Sequence, residues 1–293
     1  MPELPEVETV KRGLQKFLTG RVVSSIKFDW PKGFPNTKAD VDKFLIGATV
    51  TEVKRRAKVL MIELSTNYTL VIHLKMTGQL VFVGNESQWG GGHPNDSLIN
   101  QLPDKSTRVI FDFADGSKLF FNDQRKFGWI RLLPTAEVPN IEFMKKVGPE
   151  PLSKDFNARK FIKRIKRRAN SKIKATLLDQ TVVAGIGNIY ADEALFLAKI
   201  HPAQVVNSIS DYKSTVLFNS IKEILNQSIS QGGSSSRNYV NAEGKRGEYL
   251  NFANVFKREG KPCLRCGEQI IKIRVANRGT HICPREQRLV TKK

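Results

Sequence analysis

The apolar residues of this sequence change their spacing at one short segment, and this change constrains the fold more than any other feature. Between residues 21 and 134 they lie in short alternating or β-branched runs, which predict β-strands. From Asn157 onward they recur at helical spacing. The segment Val147–Leu152 separates the two patterns, and its glycine and prolines cannot easily continue regular structure. We therefore predict an α+β multidomain protein, with a strand-built domain followed by a helical one.

The individual elements follow from these two patterns. The predicted strands are Val22–Phe28, Thr49–Val53, Val59–Leu64, Tyr68–His73, Val109–Phe113 and Lys118–Asn122. The predicted helices of the second domain are Ala158–Arg167, Lys172–Asp179, Ile189–Ala198 and Asp211–Ser230. The polar stretch Gly84–Asp104 is interpreted as a surface insertion, because it contains consecutive glycines and a proline.

The first six residues, Met1-Pro2-Glu3-Leu4-Pro5-Glu6, admit two interpretations. If Met1 is removed, the secondary amine of Pro2 is exposed beside the Glu3 carboxylate, and such an amine can form a Schiff base. A free α-amino group has a pKa of roughly 7.7–8.0, so part of it is unprotonated near neutral pH. Alternatively, the segment only begins an amphipathic helix, whose glutamates complement the helix dipole. The apolar face of that helix is predicted to be Val7, Val10, Leu14 and Leu18.

A large excess of basic residues points to a polyanionic partner. The 48 Lys and Arg residues against 28 Asp and Glu give a net charge of +20, and this surplus favours nucleic acid. No run approaches the roughly 20 apolar residues of a membrane span, and the N-terminus lacks a basic region followed by an apolar one. We therefore expect neither membrane insertion nor secretion, and we expect residence in the cytoplasm.

All three cysteines lie near the C-terminus, which argues for a local metal site and against a disulfide framework. Cys263 and Cys266, followed by Cys283, have the spacing of a zinc ribbon. Glu286 stands where the spacing predicts a fourth cysteine, and His281 lies on the same face as Cys283 if that segment is a strand. We predict one structural zinc ion held by the cysteines and Glu286, with His281 as the alternative fourth ligand. A ribbon that has lost its metal is the competing interpretation.

A glycine-rich turn, Gly185–Tyr190, separates two of the predicted helices. Backbone N–H groups of such a turn at a helix N-terminus can bind a phosphate. The turn lacks the third glycine of a dinucleotide fingerprint and has no predicted strand before it, so nicotinamide binding has poor support. Given the positive charge, we interpret the turn as a helix-turn-helix contact to the DNA backbone.

Taken together, these motifs resemble the bacterial formamidopyrimidine-DNA glycosylase and endonuclease VIII family over nearly the whole chain. The matching segments are Pro2–Thr9, Arg55–Lys58, His73–Gly78, Asp123–Gly128, Gly148–Pro151, Gly185–Tyr190 and Arg278–Thr280. The resemblance implies an N-terminal β-sandwich with a leading helix at 1–134, a helix-two-turns-helix domain at 150–240 and a zinc-ribbon-like β-hairpin at 251–293. It also implies a base-excision-repair enzyme that removes oxidised purines, such as 8-oxoguanine and formamidopyrimidines, from duplex DNA and nicks the abasic strand by β,δ-elimination.

The resemblance also assigns the catalytic residues. Pro2 matches the nucleophile that attacks C1′ of the damaged nucleotide, Glu3 matches its acid/base partner, and Lys58 matches a catalytic or phosphate-contacting lysine. The chemistry agrees, because an iminium intermediate acidifies the C2′ proton and both eliminations can follow from one covalent species. Removal of Met1 is an absolute requirement, since Pro2 nitrogen is otherwise an amide. Glu6 matches a second N-terminal carboxylate, although helix capping explains it equally well.

Contacts to DNA are implied in the same way. Met76, Arg125 and Phe127 match the side chains that fill the space left by a flipped base. Without the resemblance, Met76 and Phe127 would be interpreted as core residues. The residues expected to bind the DNA backbone are His73, Lys174, Asn188 and Arg278. For His73 and Lys174, an ordinary solvated role is the alternative.

The sequence departs from the family pattern in places, and two other functions compete with the one above. Glu286 replaces a cysteine, Lys75 stands where arginine is frequent, and the Gly84–Asp104 loop is longer than in many members. The segment Ser234–Tyr249 resembles a mobile loop that closes over the flipped purine.

One alternative function is that of an endonuclease VIII-like enzyme for oxidised pyrimidines, which Leu4 and the void-filling residues disfavour. The other is a noncatalytic lesion-binding protein. We expect a monomer that acts on damaged double-stranded DNA in the bacterial nucleoid.

Overall fold

The computed structural model describes residues 2–85, 87–93, 101–234 and 249–290, and the chain forms two compact units. Unit 1 comprises Met1–Lys145 and Gln231–Glu248, and unit 2 comprises Lys146–Ser230 and Tyr249–Lys293. The first change of unit, after Lys145, comes just before the predicted linker Val147–Leu152. The chain therefore leaves unit 1 close to the point where its apolar pattern changes.

Helix α1, Leu4–Leu18, opens unit 1. Pro5 lies in the first turn, where a missing N–H has no consequence and a fixed φ angle suits the helix. The predicted apolar face is confirmed, because all of its members are buried: Val7, Val10, Leu14 and Leu18. Two short helices, α2 (Lys38–Asp40) and α3 (Glu142–Lys146), complete the α-helices described before the linker.

Among the described residues before the linker, the strands form two antiparallel sheets. In chain order they are β1 (Val23–Phe28), β2 (Val50–Arg56), β3 (Val59–Leu64), β4 (Tyr68–His73), β5 (Gly78–Val83), β6 (Gln88–Gly92), β7 (Thr107–Phe113), β8 (Lys118–Asp123) and β9 (Trp129–Pro134). One sheet has the order β1-β7-β8-β5-β6 and the other has the order β2-β3-β4-β9. Both sheets and α1 contribute to one apolar core, which confirms the predicted sandwich with a leading helix.

The six predicted strands are confirmed, whereas β5, β6 and β9 were not predicted. The interpretation of Gly84–Asp104 as a surface loop is wrong in part, because Gln88–Gly92 pairs with β5. Its glycines allow close packing: a Cβ atom on Gly91 would lie 2.8 Å from a methyl carbon of Val10 in α1. Residues 94–100 of the stretch lie outside the described part of the chain.

Unit 2 contains the predicted helices. They are α4 (Ala158–Ile165), α5 (Ile173–Leu178), α6 (Asn188–Leu197) and α7 (Asp211–Ser230). Asn157 caps α4, since its side chain accepts the Lys160 backbone N–H at 3.0 Å. Each predicted helix is confirmed, with boundaries that move by at most two residues.

A β-hairpin follows in unit 2, formed by β10 (Ile271–Val275) and β11 (Arg278–Ile282). Ala276 and Asn277 form its two-residue turn, and both have positive φ angles, as a tight hairpin turn requires. The cysteines beside the hairpin pack against Phe196 near the end of α6 and against Val255. Across the described residues, no helix has both the length and the apolar character needed to cross a membrane.

Candidate functional site

Pro2 and Glu3 lie buried at the N-terminus of α1. Glu3 is the N-cap residue, and Glu6 completes a capping box: its Oε2 atom accepts the Glu3 backbone N–H at 2.8 Å. This bond fixes the direction in which the chain enters the helix, and it therefore fixes the position of Pro2. The two sequence interpretations are compatible, because the residues that begin the helix also bury Pro2, the neighbour of Glu3 in the chain.

The second oxygen of Glu6 binds a distant segment of unit 1. Its Oε1 atom accepts the Ser234 backbone N–H at 2.7 Å. Gly233 has a φ angle of +92°, and a Cβ atom there would lie 3.2 Å from the same oxygen. One carboxylate thus holds the helix start and the residues that lead into the predicted mobile loop. Residues 235–248 of that loop lie outside the described part of the chain.

Lys58 and His73 are brought together by the pairing of β3 with β4. Lys58 follows Ala57, whose φ angle is +53°, in the tight turn between β2 and β3. The next residue, Val59, pairs directly with His73. Both Lys58 and His73 are buried, and the charge of Lys58 acts on the imidazole.

The His73 side chain is neutral and has a defined tautomer. Burial lowers the pKa of His73 to about 3, and the positive charges of Lys75 and Lys58 act in the same direction. Its Nδ1 atom accepts the Lys75 backbone N–H at 3.0 Å. In a neutral imidazole the proton must then reside on Nε2, so His73 offers an N–H donor and no positive charge.

Two loops carry the predicted void-filling residues, and Asp123 connects these loops. Asp123 is buried at the end of β8 and accepts the hydroxyl of Thr77, which follows Met76. It also accepts the backbone N–H groups of Arg125 at 3.2 Å and Gly128 at 2.7 Å. In the sequence, Asp123 stands out only as the first residue of the motif Asp123–Gly128, because residue spacing does not reveal its hydrogen-bonding partners.

Met76, Arg125 and Phe127 present their side chains to solvent. Met76 is 38% exposed and Phe127 is 53% exposed. The guanidinium carbon of Arg125 lies 4.9 Å from the centroid of the Phe127 ring, in a cation–π contact. The core role that residue type alone suggests for Met76 and Phe127 is therefore excluded.

In unit 2, Asn188 and Arg278 are brought together by the hairpin. Asn188 is the first residue of α6, and its Nδ2 group donates to Gly279 O at 3.1 Å. Arg278 is the neighbour of Gly279 and is exposed at the start of β11. The glycine-rich turn therefore ends at a helix N-terminus beside an exposed arginine, an arrangement that suits an anion.

Lys174 differs from its prediction as a DNA-backbone contact. Its side chain is 0% exposed, and Nζ lies 2.6 Å from Oδ1 of Asp192, which is also 0% exposed. Nζ donates to the Thr280 hydroxyl at 2.7 Å, and Asp192 Oδ2 accepts the His281 backbone N–H at 3.0 Å. A lysine held inside this network has no surface to offer a phosphate. Both the contact and the solvated alternative are therefore replaced by an internal role in holding the hairpin.

The three cysteine sulfur atoms form a compact group. The ligand atoms of Cys263, Cys266 and Cys283 all lie within 4.8 Å of one another, and Cys263 Sγ accepts the Arg265 backbone N–H at 3.4 Å. Burial raises the pKa of the Cys283 thiol to about 11. For Cys263 burial acts in the same direction, but hydrogen bonds from backbone N–H groups bring its pKa below the ordinary value. Three soft, mutually close sulfur atoms fit a zinc ion, which would displace their protons.

Neither predicted fourth ligand belongs to this group among the described residues. The Glu286 carboxylate lies 3.0 Å from Lys199 Nζ, which lowers the pKa of Glu286. The His281 ring lies against Phe256, and its Nδ1 atom is 3.6 Å from Asp192 Oδ2. Both side chains therefore have other partners in this arrangement.

Family models match nearly the whole chain. The formamidopyrimidine-DNA glycosylase N-terminal domain matches residues 1–130, and the H2TH domain of the same enzyme matches residues 147–240. The zinc finger found in FPG and IleRS matches residues 260–285. The formamidopyrimidine-DNA glycosylase of Herpetosiphon aurantiacus is 42% identical over 97% of this chain and 98% of the relative. That of Pelotomaculum thermopropionicum is 38% identical over 99% of this chain and all of the relative.

Solved structures agree with the family models. A mutant of Lactococcus lactis FPG, in complex with Fapy-dG containing DNA, has a TM-score of 0.86 and 38% identity, with 98% of this chain and 100% of that chain covered. MutM in complex with carbocyclic 8-oxo-G containing DNA has a TM-score of 0.84 and 37% identity, with the same coverage. On this sequence and structural similarity, the chain belongs to the formamidopyrimidine-DNA glycosylase family.

Proposed function

We propose that this protein removes oxidised purines from duplex DNA and then cleaves the strand at the abasic site by β,δ-elimination. The observation that carries the proposal is the buried Pro2-Glu3 pair, which Glu6 holds at the start of α1. Family membership supports it, since the relatives are named formamidopyrimidine-DNA glycosylase. Two similar structures contain DNA with Fapy-dG or carbocyclic 8-oxo-G.

The proposed mechanism uses Pro2 as the nucleophile and Glu3 as the acid/base group. After removal of Met1, the Pro2 nitrogen attacks C1′ of the damaged nucleotide, and the bond between C1′ and the base breaks. The C1′–O4′ bond then opens as O4′ takes up a proton, which leaves an iminium between C1′ and Pro2. The iminium acidifies the C2′ proton, so loss of the 3′ phosphate and then of the 5′ phosphate can follow. Glu3 lies next to the amine in the chain and exchanges protons with the sugar and the leaving groups. One amine therefore serves both activities.

The proposed DNA contacts of unit 1 fall into two groups. Lys58 supplies a positive charge and His73 supplies a neutral Nε2–H donor, and both suit phosphate oxygens. Met76, Arg125 and Phe127 fill the space left by the flipped nucleotide, and their exposure supports this role. Asp123 positions this second group by holding its two loops together.

In unit 2 we assign DNA-backbone contacts to Asn188 and Arg278. Lys174 acts through the hairpin, because its buried pair with Asp192 supports the strand that begins at Arg278. We divide the functional segments at 1–134, 150–240 and 251–293. The partner is damaged double-stranded DNA, and we propose a monomer in the cytoplasm that is bound to the nucleoid through DNA.

A zinc ion is proposed for the cysteine group of unit 2. Cys263, Cys266 and Cys283 would hold it, and their close sulfur atoms support this assignment. The ion would supply folding free energy to a module with a small core, and would thereby keep Arg278 in place. Glu286 was the predicted fourth ligand, and its carboxylate lies beside Lys199 and outside the sulfur group.

One similar structure bears on the range of damaged bases that this protein removes. A structure of wild-type Lactococcus lactis FPG, which has a TM-score of 0.85 to this chain, contains an oxidised pyrimidine in its DNA. We therefore propose that oxidised pyrimidines are secondary substrates. Parallel excision rates on 8-oxoguanine and on an oxidised pyrimidine, in the same duplex sequence, would rank the two.

Borohydride trapping tests the proposed mechanism. Purified protein is incubated with a duplex that carries one 8-oxoguanine opposite cytosine, and mass spectrometry locates the reduced adduct and checks the N-terminus. We expect an adduct on Pro2. The Glu3→Gln variant should bind the lesion and release little base. An adduct on a lysine despite a free Pro2 would contradict the proposed nucleophile, and tight lesion binding without any product would favour a noncatalytic protein.

A further inference from the structure

We infer that Glu286 does not bind the proposed zinc ion but replaces the fourth cysteine as a counterion, so that three thiolates hold the metal and a small exchangeable ligand takes the fourth position. The inference rests on the zinc site proposed above. It concerns a residue that departs from the four-cysteine pattern, and it assigns a chemical class to the exchangeable ligand: a soft donor such as a thiolate, or water in its absence.

The first support is the composition of the sulfur group. The chain contains only three cysteines, and Cys266 Sγ and Cys283 Sγ are 3.5 Å apart. Cys263 and Cys283 are buried, whereas Cys266 is partly exposed. The group is therefore accessible to a small molecule near Cys266, while its other side is closed by the protein.

The second support is the position of the Glu286 carboxylate. Its Oε2 atom lies 3.0 Å from Lys199 Nζ and 3.7 Å from Arg265 Nη1, and its side chain is only 14% exposed. Arg265 is itself fixed, because Nη1 donates to Phe196 O at 3.2 Å and the guanidinium lies over the Phe196 ring. A partly buried carboxylate held by two cations would have to lose these partners in order to reach a metal.

The third support is conservation of charge. Zinc with four thiolates carries a formal charge of −2. With water in the fourth position, zinc with three thiolates carries −1, and the Glu286 carboxylate of the same module brings the total to −2. Lys199 and Arg265 then face the same formal charge that a four-cysteine ribbon would present to them. Glu286 can therefore preserve the electrostatic attachment of the ribbon without coordinating the ion.

His281 does not supply the fourth position either. Its backbone N–H donates to Asp192 Oδ2 at 3.0 Å, and its Nδ1 atom lies 3.6 Å from the same oxygen. Its ring packs edge-on against Phe256, with the centroids 5.2 Å apart. The His281 side chain thus belongs to the network of Lys174 and Asp192, and among the described residues the sulfur atoms remain the available metal ligands.

Cobalt substitution of the full-length protein tests this inference. Co²⁺ replaces zinc in tetrahedral sites, and its d–d absorption bands report which atoms coordinate it. The metal-free protein is titrated with Co²⁺, and 2-mercaptoethanol is then added to the saturated complex. The variants are Glu286→Gln and Glu286→Cys, with Glu259→Gln as the control for an exposed glutamate of the same module.

We expect added thiol to shift the bands of the wild-type protein. Glu286→Gln should keep the wild-type bands and the thiol response, and it should lower the Tm by about 2–4 °C through loss of the ion pair. Glu286→Cys should show bands that added thiol leaves unchanged, and should bind zinc about 10-fold more tightly or better. Glu259→Gln should match the wild type in every readout.

Two results would overturn the inference, and they can be told apart. If the wild-type bands do not respond to thiol and Glu286→Gln shifts them, Glu286 is a ligand and the proposed zinc site stands. If the wild-type protein binds no Co²⁺ and contains no zinc, the zinc site itself fails, and Glu286 serves only as an ion-pair partner in a metal-free ribbon.

Discussion

At the scale of residues, Glu6 holds the chain around the proposed nucleophile Pro2 through two backbone hydrogen bonds. Its two carboxylate oxygens accept the backbone N–H groups of Glu3 and Ser234. Only a side chain with two acceptors at this place satisfies both donors, and a glutamine offers one acceptor and one donor. The identity of residue 6 is therefore set by two backbone groups and not only by the helix dipole.

We predict that Glu6→Gln lowers the rate of base removal about 10-fold or more, because it leaves one buried N–H group facing an amide donor, at a cost of about 1–3 kcal/mol. Single-turnover rates on an 8-oxoguanine duplex and on a preformed abasic site measure the effect. Glu223→Gln, on α7 and distant in sequence from the N-terminus, is the control. Unchanged rates on both substrates would show that the two bonds do not position Pro2.

His73 gives a prediction for pH. Its pKa is lowered from 6.5 to about 3 in the folded protein, so between these values the unfolded chain binds more protons than the folded one. The free energy of unfolding should therefore fall on acidification below pH 6.5, by up to about 1.4 kcal/mol per pH unit from this group. Urea unfolding at several pH values measures the slope. His73→Asn should flatten it, and parallel profiles for the two proteins would contradict the assignment.

At the scale of elements, two helices of unit 2 are joined by an ion pair whose side chains are both fully buried. Lys174 on α5 and Asp192 on α6 meet Thr280 and His281 of β11. These two helices and the hairpin are thus joined by charged groups inside the protein, where removing one partner leaves the other uncompensated.

We predict that Lys174→Met lowers the free energy of unfolding by about 3–5 kcal/mol, because it leaves the Asp192 charge buried without its partner. Adding Asp192→Asn should recover part of this loss, since the second change removes the uncompensated charge. Lys172→Met, at the lysine just before α5, is the control. Chemical unfolding and DNA binding should change together in this series. A loss of DNA affinity at unchanged stability would restore the direct-contact interpretation of Lys174.

Sequence spacing predicts elements most readily where buried and exposed residues alternate in a regular pattern. Alternating burial along β3 and helical spacing along α7 were recognised for this reason. β5 is buried to the same extent as β4 and β8, which were predicted. It was missed because it begins at Gly78 and ends just before Gly84, and glycines indicate turns. β6 was missed because its consecutive glycines are typical of a loop. In the structure they let the strand pack closely against α1, and this contact joins residues that are distant in sequence.

The proposed functional site was likewise predictable only where a local sequence pattern marks it. Pro2, Glu3 and the cysteines were identified because their chemistry is apparent in short motifs. The parts played by Glu6 and Asp192 were not, because Glu6 binds a segment 228 residues away and Asp192 accepts a bond from a residue 89 positions later. No local pattern encodes such partners, so the supporting network had to come from the folded structure.

For the whole molecule, the net charge of +20 predicts DNA binding that depends strongly on salt. The contribution of each residue to this dependence differs with its charge. Arg278 is exposed and positively charged, whereas His73 is neutral near physiological pH. These two residues, both proposed here to bind the DNA backbone, should therefore differ in their effect on the salt dependence.

We predict that Arg278→Ala reduces the slope of log affinity against log salt by about 0.9, the value for one released counterion on B-DNA. His73→Asn should weaken binding and leave the slope unchanged, because no charge is removed. Titrations at several salt concentrations, with lesion and undamaged duplexes, measure both quantities. Equal slopes for Arg278→Ala and the wild type would remove Arg278 from the phosphate contacts.

The packing of α1 against β6 has a consequence for how this protein can evolve. A Cβ atom on Gly13 would lie 2.2 Å from the Trp89 indole, so the ring occupies the notch that the glycine leaves. Moving α1 by one residue along its axis would displace Pro2 by about 1.5 Å, and displacements of about 1 Å can cost a reaction a hundredfold in rate. Positions 13 and 89 should therefore covary: a larger residue at one survives selection only with a smaller residue at the other.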